Sequence, residues 1–315
     1  MAEPKIYKTA EDFRKSLEER LKSVAQTKDL ELARLRRIVA FERLLARLFQ
    51  EKNSPWLLKG SYALELRLRE KARATRDMDF AFSLPPLVYD QARVHAKREG
   101  AEVVEGRQTG NRQGDSTKDE IHSMLTKEAL KNLGDWFQFR VEEAKEKIWG
   151  APAGGFRFPV ESVLAGREFA NFHLDVGLGD VPITEPEWIR GHDLLNFAGI
   201  PSVSIALLPR EYHFAEKIHA YTRPRSGADN SRVRDLADLV LLIEEGKLVD
   251  VKTTQAIQAA FKQYNTHPLP EKLNPPPESW KEPFSQLAQE IDLSQKTVQA
   301  AFGKVEKFWN RLSTR

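Results

Sequence analysis

Cysteine is absent from this chain. That excludes disulfides and thiolate metal sites, and it fits a reducing compartment. Long apolar runs are absent too. No stretch of about 18 apolar residues could form a membrane-spanning helix, and the opening MAEPKIYKTAEDF holds no leader-like apolar core. The composition predicts a cytoplasmic protein with no membrane partner. A large excess of one charge is likewise missing. The 49 Lys and Arg face 46 Asp and Glu, a net +3, with a pI near 8.9. This permits a nucleic-acid partner without demanding one. What is present is a chain of 315 residues, 41% hydrophobic and 30% charged, with no internal repeat. Such a chain predicts a folded protein of about two domains.

The most informative stretch is LLKGSYALELRLREKARATRDMDFAF, residues 57–82. Its end, Asp77-Met78-Asp79-Phe80-Ala81-Phe82, has period two and predicts a strand. Met78, Phe80 and Phe82 would enter the core, while Asp77 and Asp79 would sit beside each other on the opposite face. Two carboxylates that close repel, and burial would raise their pKa values; a cation between them resolves both problems. Oxygen ligands at this density suit Mg²⁺, which takes one or two carboxylates and completes its shell with water and phosphate. Upstream, Gly60-Ser61 follow the apolar Trp56-Leu57-Leu58 and lead into Tyr62–Leu68, which reads as a helix with one apolar side. Gly60 permits positive φ. A Gly-Ser turn feeding a helix N-terminus offers phosphate both N–H groups and the positive end of the dipole. A phosphate cradle and a Mg²⁺-holding pair in one segment point to a nucleoside triphosphate.

Around this stretch the chain reads in order. Residues 9–25 predict a helix opened by Thr or Asp, and residues 29–50 a second one. Leu35, Ile38, Leu45, Leu48 and Phe49 form the apolar side of the second. Arg36, Arg43 and Arg47 share another side, which reads either as a solvated face or as a stripe meeting a phosphate backbone. After Leu84-Pro85-Pro86, residues 87–99 fit a short helix, 100–119 read as loop, and a helix resumes over 118–133. Strands are expected within 136–148, 156–160, 169–177 and 202–208. In the third of these Phe172, Leu174 and Val176 share one face, and His173 and Asp175 the other. Beyond Pro209 the chain turns helical, over 210–221, 233–242 and 253–264. A Pro-rich connector over 268–283 then leads to one long helix over 285–312, whose Phe308 and Trp309 read as docked core. Lys217 lies at the border of the apolar face of 210–221, from which it can aim its ammonium into a cleft. A basic loop, 222–232, follows. Asp235 then sits near a helix N-terminus, where it is favourable with or without a catalytic role.

Lys59, Gly60 and Ser61, the helix after them, and then Arg73, Thr75, Asp77, Asp79 and Phe80 resemble the nucleotidyltransferases of the DNA-polymerase-β-like superfamily. More narrowly they resemble the AbiEii/AbiGii (MenT-like) toxins. Many members carry a second glycine where this chain has Ser61, and the superfamily tolerates serine there. A second block, Glu216, Lys217, Arg232, Arg234, Asp235, Leu236, Asp238 and Leu239, resembles that family's Glu-Lys helix, Arg-rich loop and following Arg/Lys-Asp-Leu-x-Asp-Leu helix. The two blocks are independent, and the resemblance covers roughly residues 30–245.

The resemblance implies an α+β fold: a small twisted mixed sheet with flanking and N-terminal bracing helices over 1–208, and a mainly helical domain over 209–315 closing the active-site cleft. It implies transfer of a nucleoside monophosphate from an NTP to an acceptor hydroxyl by two-metal chemistry. Asp77 and Asp79 would hold Mg²⁺. Asp175 would be the third carboxylate, with Asp180 as the next candidate. Gly60 and Ser61 would cradle the β and γ phosphates, and Lys217 would neutralise them. Arg73 and Arg234 would position phosphate or acceptor, and Asp235 would orient Lys217 or Arg234. The implied acceptor is RNA, the 3′ end of tRNA. The implied setting is a type IV toxin–antitoxin or abortive-infection pair, in which a separate antitoxin, commonly a winged-helix repressor, opposes a block of translation. The basic loop and the arginine stripe could contact such an RNA. The residues alone leave open protein or small-molecule hydroxyls as acceptors, and the choice of NTP. They also leave open a non-catalytic nucleotide- or RNA-binding regulator, although intact Gly60, Ser61, Asp77 and Asp79 argue against it.

Overall fold

The structure is a computed structural model that describes residues 5–51, 53–82, 111–179, 185–224 and 232–313. In chain order its elements are α1 (Ala10–Lys28), α2 (Leu32–Leu48), β1 (Trp56–Lys59), α3 (Gly60–Leu68), β2 (Asp77–Phe82), α4 (Asn111–Ala129), β3 (Phe137–Val141), β4 (Glu146–Ile148), β5 (Gly155–Leu164), β6 (Arg167–Leu178), β7 (Glu187–Arg190), β8 (Ser204–Leu207), α5 (Arg210–Thr222), α6 (Val233–Glu244), α7 (Asp250–Tyr264), α8 (Lys281–Glu290) and α9 (Val298–Ser313). The fold is α+β, as expected. Two compact units divide the chain.

The first unit comprises Met1–Leu57, Arg76–Val181 and Arg190–Ile205. Its strands run in the order β3-β5-β6-β2, with β4 also beside β5. β2 and β6 are parallel, and the neighbours across β5 are antiparallel. Alternation decides the faces. Met78 and Phe80 of β2, Leu174 and Val176 of β6, and Phe156 and Phe158 of β5 are all buried. Trp56 lies 5.9 Å from Phe80 and 4.7 Å from Phe82, ring to ring, and Phe41 of α2 meets Phe172 edge-on at 4.9 Å. Ala165 and Gly166, at φ 51° and 66°, make the two-residue turn between β5 and β6, the type that needs positive φ at both positions. Arg14 of α1 donates to the carbonyls of Leu164, Arg167 and Glu168 at 2.6, 2.9 and 3.0 Å, fastening that turn. The N-terminus of α1 is capped by Thr9, whose hydroxyl accepts from Asp12 N–H at 3.2 Å.

The arginine stripe of α2 is neither a solvated face nor a phosphate-binding surface. Arg43 and Arg47 are buried with Asp135. Arg43 Nε donates to Asp135 Oδ2 at 2.7 Å, and Arg47 Nη2 to Asp135 Oδ1 at 2.8 Å. Arg36 pairs with Glu18 at 2.6 Å. Burial alone would raise the Asp135 pKa, but Arg47 and Arg43 outweigh it and hold the carboxyl below its ordinary range. The same residues reach the outer side of β3. Glu142 N–H donates to Pro159 at 2.9 Å, so alternate residues of β3 turn their backbone away from β5. Phe137 carbonyl accepts from Arg47 Nη2 at 2.8 Å, Val141 carbonyl from His122 Nε2 at 3.0 Å, and Phe137 N–H donates to Asp135 Oδ1 at 3.2 Å.

The second unit comprises Leu58–Thr75, Pro182–Ile189 and Ala206–Arg315. β1 and β8 pair in parallel, Leu58 opposite Leu207, and β7 follows β8. α5 packs on α6 and α7, and α6 on α8 and α9. Phe214 of α5 meets Phe308 of α9 at 5.1 Å. Trp309 is buried as expected, and its indole N–H donates to Glu271 at 3.3 Å. Together with Tyr221 donating to Asn274 at 2.7 Å, it pins the connector.

Two further expectations change. α4 begins at Asn111, inside the segment expected to be loop. Its buried Ile121, Leu125 and Ala129 all lie in its second half, so the first turns carry no apolar period to read. The long C-terminal helix is two helices. Asp292 adopts φ 46° just past α8, and Thr297 opens α9, its hydroxyl accepting from Ala300 N–H at 3.3 Å. The expected helix over 87–99, most of the basic loop and Asp180 lie outside the described residues.

Candidate active site

In the first unit the strand register gathers the predicted carboxylates. Asp77 of β2 is opposite His173 of β6, and Asp79 opposite Asp175. Register partners share a face, so all four side chains stand on the face opposite the core. Arg157 of β5 is opposite Asp175 and binds it through two parallel bonds, Nε to Oδ1 and Nη2 to Oδ2, both 2.7 Å. The Asp175 hydrogen bond raises the Arg157 pKa above the ordinary arginine range, and burial opposes it. His173 Nδ1–H donates to Asp77 Oδ1 at 3.1 Å. An open groove of about 520 Å³ runs beside them, lined by Arg76, Asp77, Arg157, Pro159, Asn171 and His173 among others.

In the second unit the Gly-Ser turn is as expected. Gly60 has φ 64°, a value for which glycine carries no Cβ penalty. It opens α3, and Lys59 at the N-cap makes no side-chain capping bond, so the first amides of α3 point at whatever anion approaches. Arg73 Nη2 donates to Ser61 Oγ, which leaves the serine its own hydrogen to donate. Lys217 of α5 lies 2.7 Å from Asp235 and 2.8 Å from Asp238 of α6. Arg73 reaches the same Asp238 at 3.3 Å through Nε and through Nη2. Burial pulls Lys217 toward its neutral form, but Asp235 and Asp238 outweigh burial and push its pKa above the ordinary lysine range. The ammonium stays charged. Lys59 pairs with Glu216 at 3.1 Å. Arg234 is exposed in the first turn of α6.

His213, one turn before Lys217, is fully buried. Arg67 Nη1 donates to its Nδ1 at 3.2 Å, so its proton sits on Nε2. Burial first, then Arg67 and Lys217, hold its pKa well below the ordinary range. It adds no charge to the cations around it.

Among the described residues no three His, Asp or Glu side chains form a metal cage. Asp77 and Asp79 nonetheless fit Mg²⁺, which is held by one or two carboxylates plus water and phosphate rather than by an all-protein cage. Asp175 fits less directly, because Arg157 takes both of its oxygens.

The chain matches the family model described as nucleotidyl transferase AbiEii toxin, type IV TA system, over residues 43–307. It belongs to the AbiEii family. The chain is therefore a nucleotidyltransferase of the type IV toxin class. Among solved structures it is similar to the nucleotidyltransferase toxin MenT4 from Mycobacterium tuberculosis, at 13% identity over 88% of this chain and 91% of that one, with a TM-score of 0.47. It is also similar to a candidate nucleotidyltransferase from H. pylori, at 14% identity over 88% and 95%, with a TM-score of 0.44. A comparison with curated proteins finds no match.

Against this AbiEii background, two residues stand in the clusters without having been picked out for a role in the sequence. Arg157 shows only as the polar position between Phe156 and Phe158. Asp238 belongs to the second motif block, as does its partner Lys217, but its other cation, Arg73, comes from the segment after α3, far away in the chain.

Proposed function

We propose that this AbiEii-family enzyme transfers a nucleoside monophosphate from an NTP to the 3′-terminal hydroxyl of tRNA, with Mg²⁺, and thereby blocks translation under the control of an antitoxin. The observation that carries the reading is the face shared by Asp77 and Asp79, held beside Asp175 by the β2–β6 register. Bound there, Mg²⁺ would offset charge on the triphosphate and on the attacking oxygen. The remaining chemistry belongs to the chain. Asp77 and Asp79 would hold the ion, and His173 orients Asp77. Asp175 fixes Arg157 and would join the metal only by releasing it. The α3 amides after Gly60, together with the Ser61 hydroxyl, would donate to phosphate oxygens. Lys217, kept charged by Asp235 and Asp238, and Arg73 would bind the triphosphate. Arg234, exposed, is available to the acceptor.

The test is incubation of the protein with each labelled NTP, Mg²⁺ and total tRNA, with products resolved on a gel. Label entering tRNA with one NTP, and lost in Asp77→Ala, supports the reading and names the nucleotide. Label in protein or in a small molecule keeps the activity and overturns the acceptor. No transfer by a folded protein overturns both acceptor and metal assignments.

A further inference from the structure

We propose that Asp238 is a positioning residue of the nucleotide site, tying the Arg73 guanidinium and the Lys217 ammonium into one pair aligned on Ser61. The inference rests on reading Ser61, Arg73 and Lys217 as triphosphate ligands.

Asp238 is 1% exposed. Its position on α6 is three residues after Asp235, so both carboxylates lie on one helix face. Lys217 already has Asp235 at 2.7 Å. One ammonium does not need a second buried carboxylate, and a buried anion is costly unless its partners justify it. The second partner is Arg73, which arrives from the segment after α3 and forks onto Asp238 while also donating to Ser61 Oγ. Asp238 Oδ2 accepts from both cations, at 2.8 Å from Lys217 and 3.3 Å from Arg73. The two positive groups repel, Arg73 acting against the charge on Lys217. The shared carboxylate offsets that repulsion and fixes the separation of two cations on one triphosphate. Without it the guanidinium loses the fork that aligns it on Ser61. Asp238 touches no reacting atom and acts through its partners.

The test measures binding of non-hydrolysable analogues of the four NTPs, in Mg²⁺, by titration calorimetry, with circular dichroism to verify folding. Asp238→Asn is expected to weaken the bound analogue by about ten- to a hundredfold, the scale of lost charge-assisted hydrogen bonds, and Asp238→Glu to recover part of the loss. Arg73→Gln and the double variant Arg73→Gln/Asp238→Asn complete a cycle. The double variant should bind within about threefold of Arg73→Gln, because the pair that Asp238 ties together is already gone and Lys217 keeps Asp235 at 2.7 Å. This comparison stands even if Asp238→Asn alone does not fold, since the double variant removes both charges. Wild-type affinity in Asp238→Asn, or a further full loss in the double variant, overturns the inference. The readout is independent of the acceptor. A wild-type protein that binds the analogue but does not label tRNA sinks the acceptor reading and leaves this inference intact.

Discussion

A carboxylate whose two oxygens are taken by one guanidinium is a poor metal ligand until the arginine leaves. Asp175 is in that position, both oxygens held by Arg157 at 2.7 Å, whereas Asp77 and Asp79, on the same face, are the pair proposed to hold Mg²⁺. The two kinds of aspartate should therefore respond differently to substitution. Asp77→Asn or Asp79→Asn should lower NMP transfer by more than about a hundredfold, as loss of a group acting on developing charge does, with an unchanged urea midpoint. Asp175→Asn should instead cost stability, about 1 kcal/mol given the partial exposure of Arg157. Adding Arg157→Met should restore that loss. Urea denaturation of the single and double variants checks it. The buried arginines of α2 behave otherwise again. Asp135→Asn strands two buried guanidinium groups and should cost about 3–5 kcal/mol, while Arg36→Ala, partly exposed, should cost at most about 1 kcal/mol. The sequence displayed Arg43 and Arg47 as a stripe. Their shared anion lies some ninety positions further along the chain, and no local pattern connects them.

At the scale of elements, α5 carries a second histidine with a consequence for stability. Burial, then His267 and Arg223, pull the His219 pKa down to about 4. Its Nε2 is 2.9 Å from Thr266 Oγ1, and its ring stacks on Tyr264 at 4.3 Å. In the unfolded chain the imidazole takes its proton near 6.5. Between these values the unfolded state binds more protons, so stability is intact above pH 6.5 and falls as pH drops toward 4, by about 3 kcal/mol. His219→Gln should make that part of the stability profile shallower, leaving the share that His213 and His267 contribute with the same sign, as followed by denaturation across pH. Which elements the sequence revealed follows from the same physics. α3, β2, β6 and α5 were legible because apolar residues recur throughout each one. α4 was half legible, since its first turns are polar all round. The break between α8 and α9 was hidden because Ile291 and Leu293 keep an apolar rhythm through it, and the signals that mark it, Asp292 at positive φ and the cap Thr297, are single residues.

Across the whole molecule, the motifs were legible but not their grouping. The Gly-Ser turn and the Asp pair are less than twenty residues apart, yet α3 is grouped with the C-terminal helices and β2 with the first unit. Register between strands a hundred residues apart is set by long-range packing, which a single sequence does not display. A nucleic-acid acceptor also has a whole-molecule signature. With a net charge of only +3, binding must rely on local cations. Raising KCl from about 50 to 200 mM should still raise the acceptor KM roughly tenfold or more if several phosphates are contacted. Steady-state kinetics at several salt concentrations checks it. A flat response would favour a small-molecule acceptor.

The outer side of β3 has a consequence of a different kind. A strand at the margin of a sheet is a template on which a foreign strand can assemble, and natural proteins blunt it. Here Arg47 and His122 occupy the carbonyls of Phe137 and Val141, and Asp135 occupies the Phe137 amide. The buried ion pair of α2 thus doubles as a guard against self-association. His122→Ala should leave the fold and the transfer reaction in place and yet shorten the lag before aggregation in concentrated solution, a change that light scattering would register.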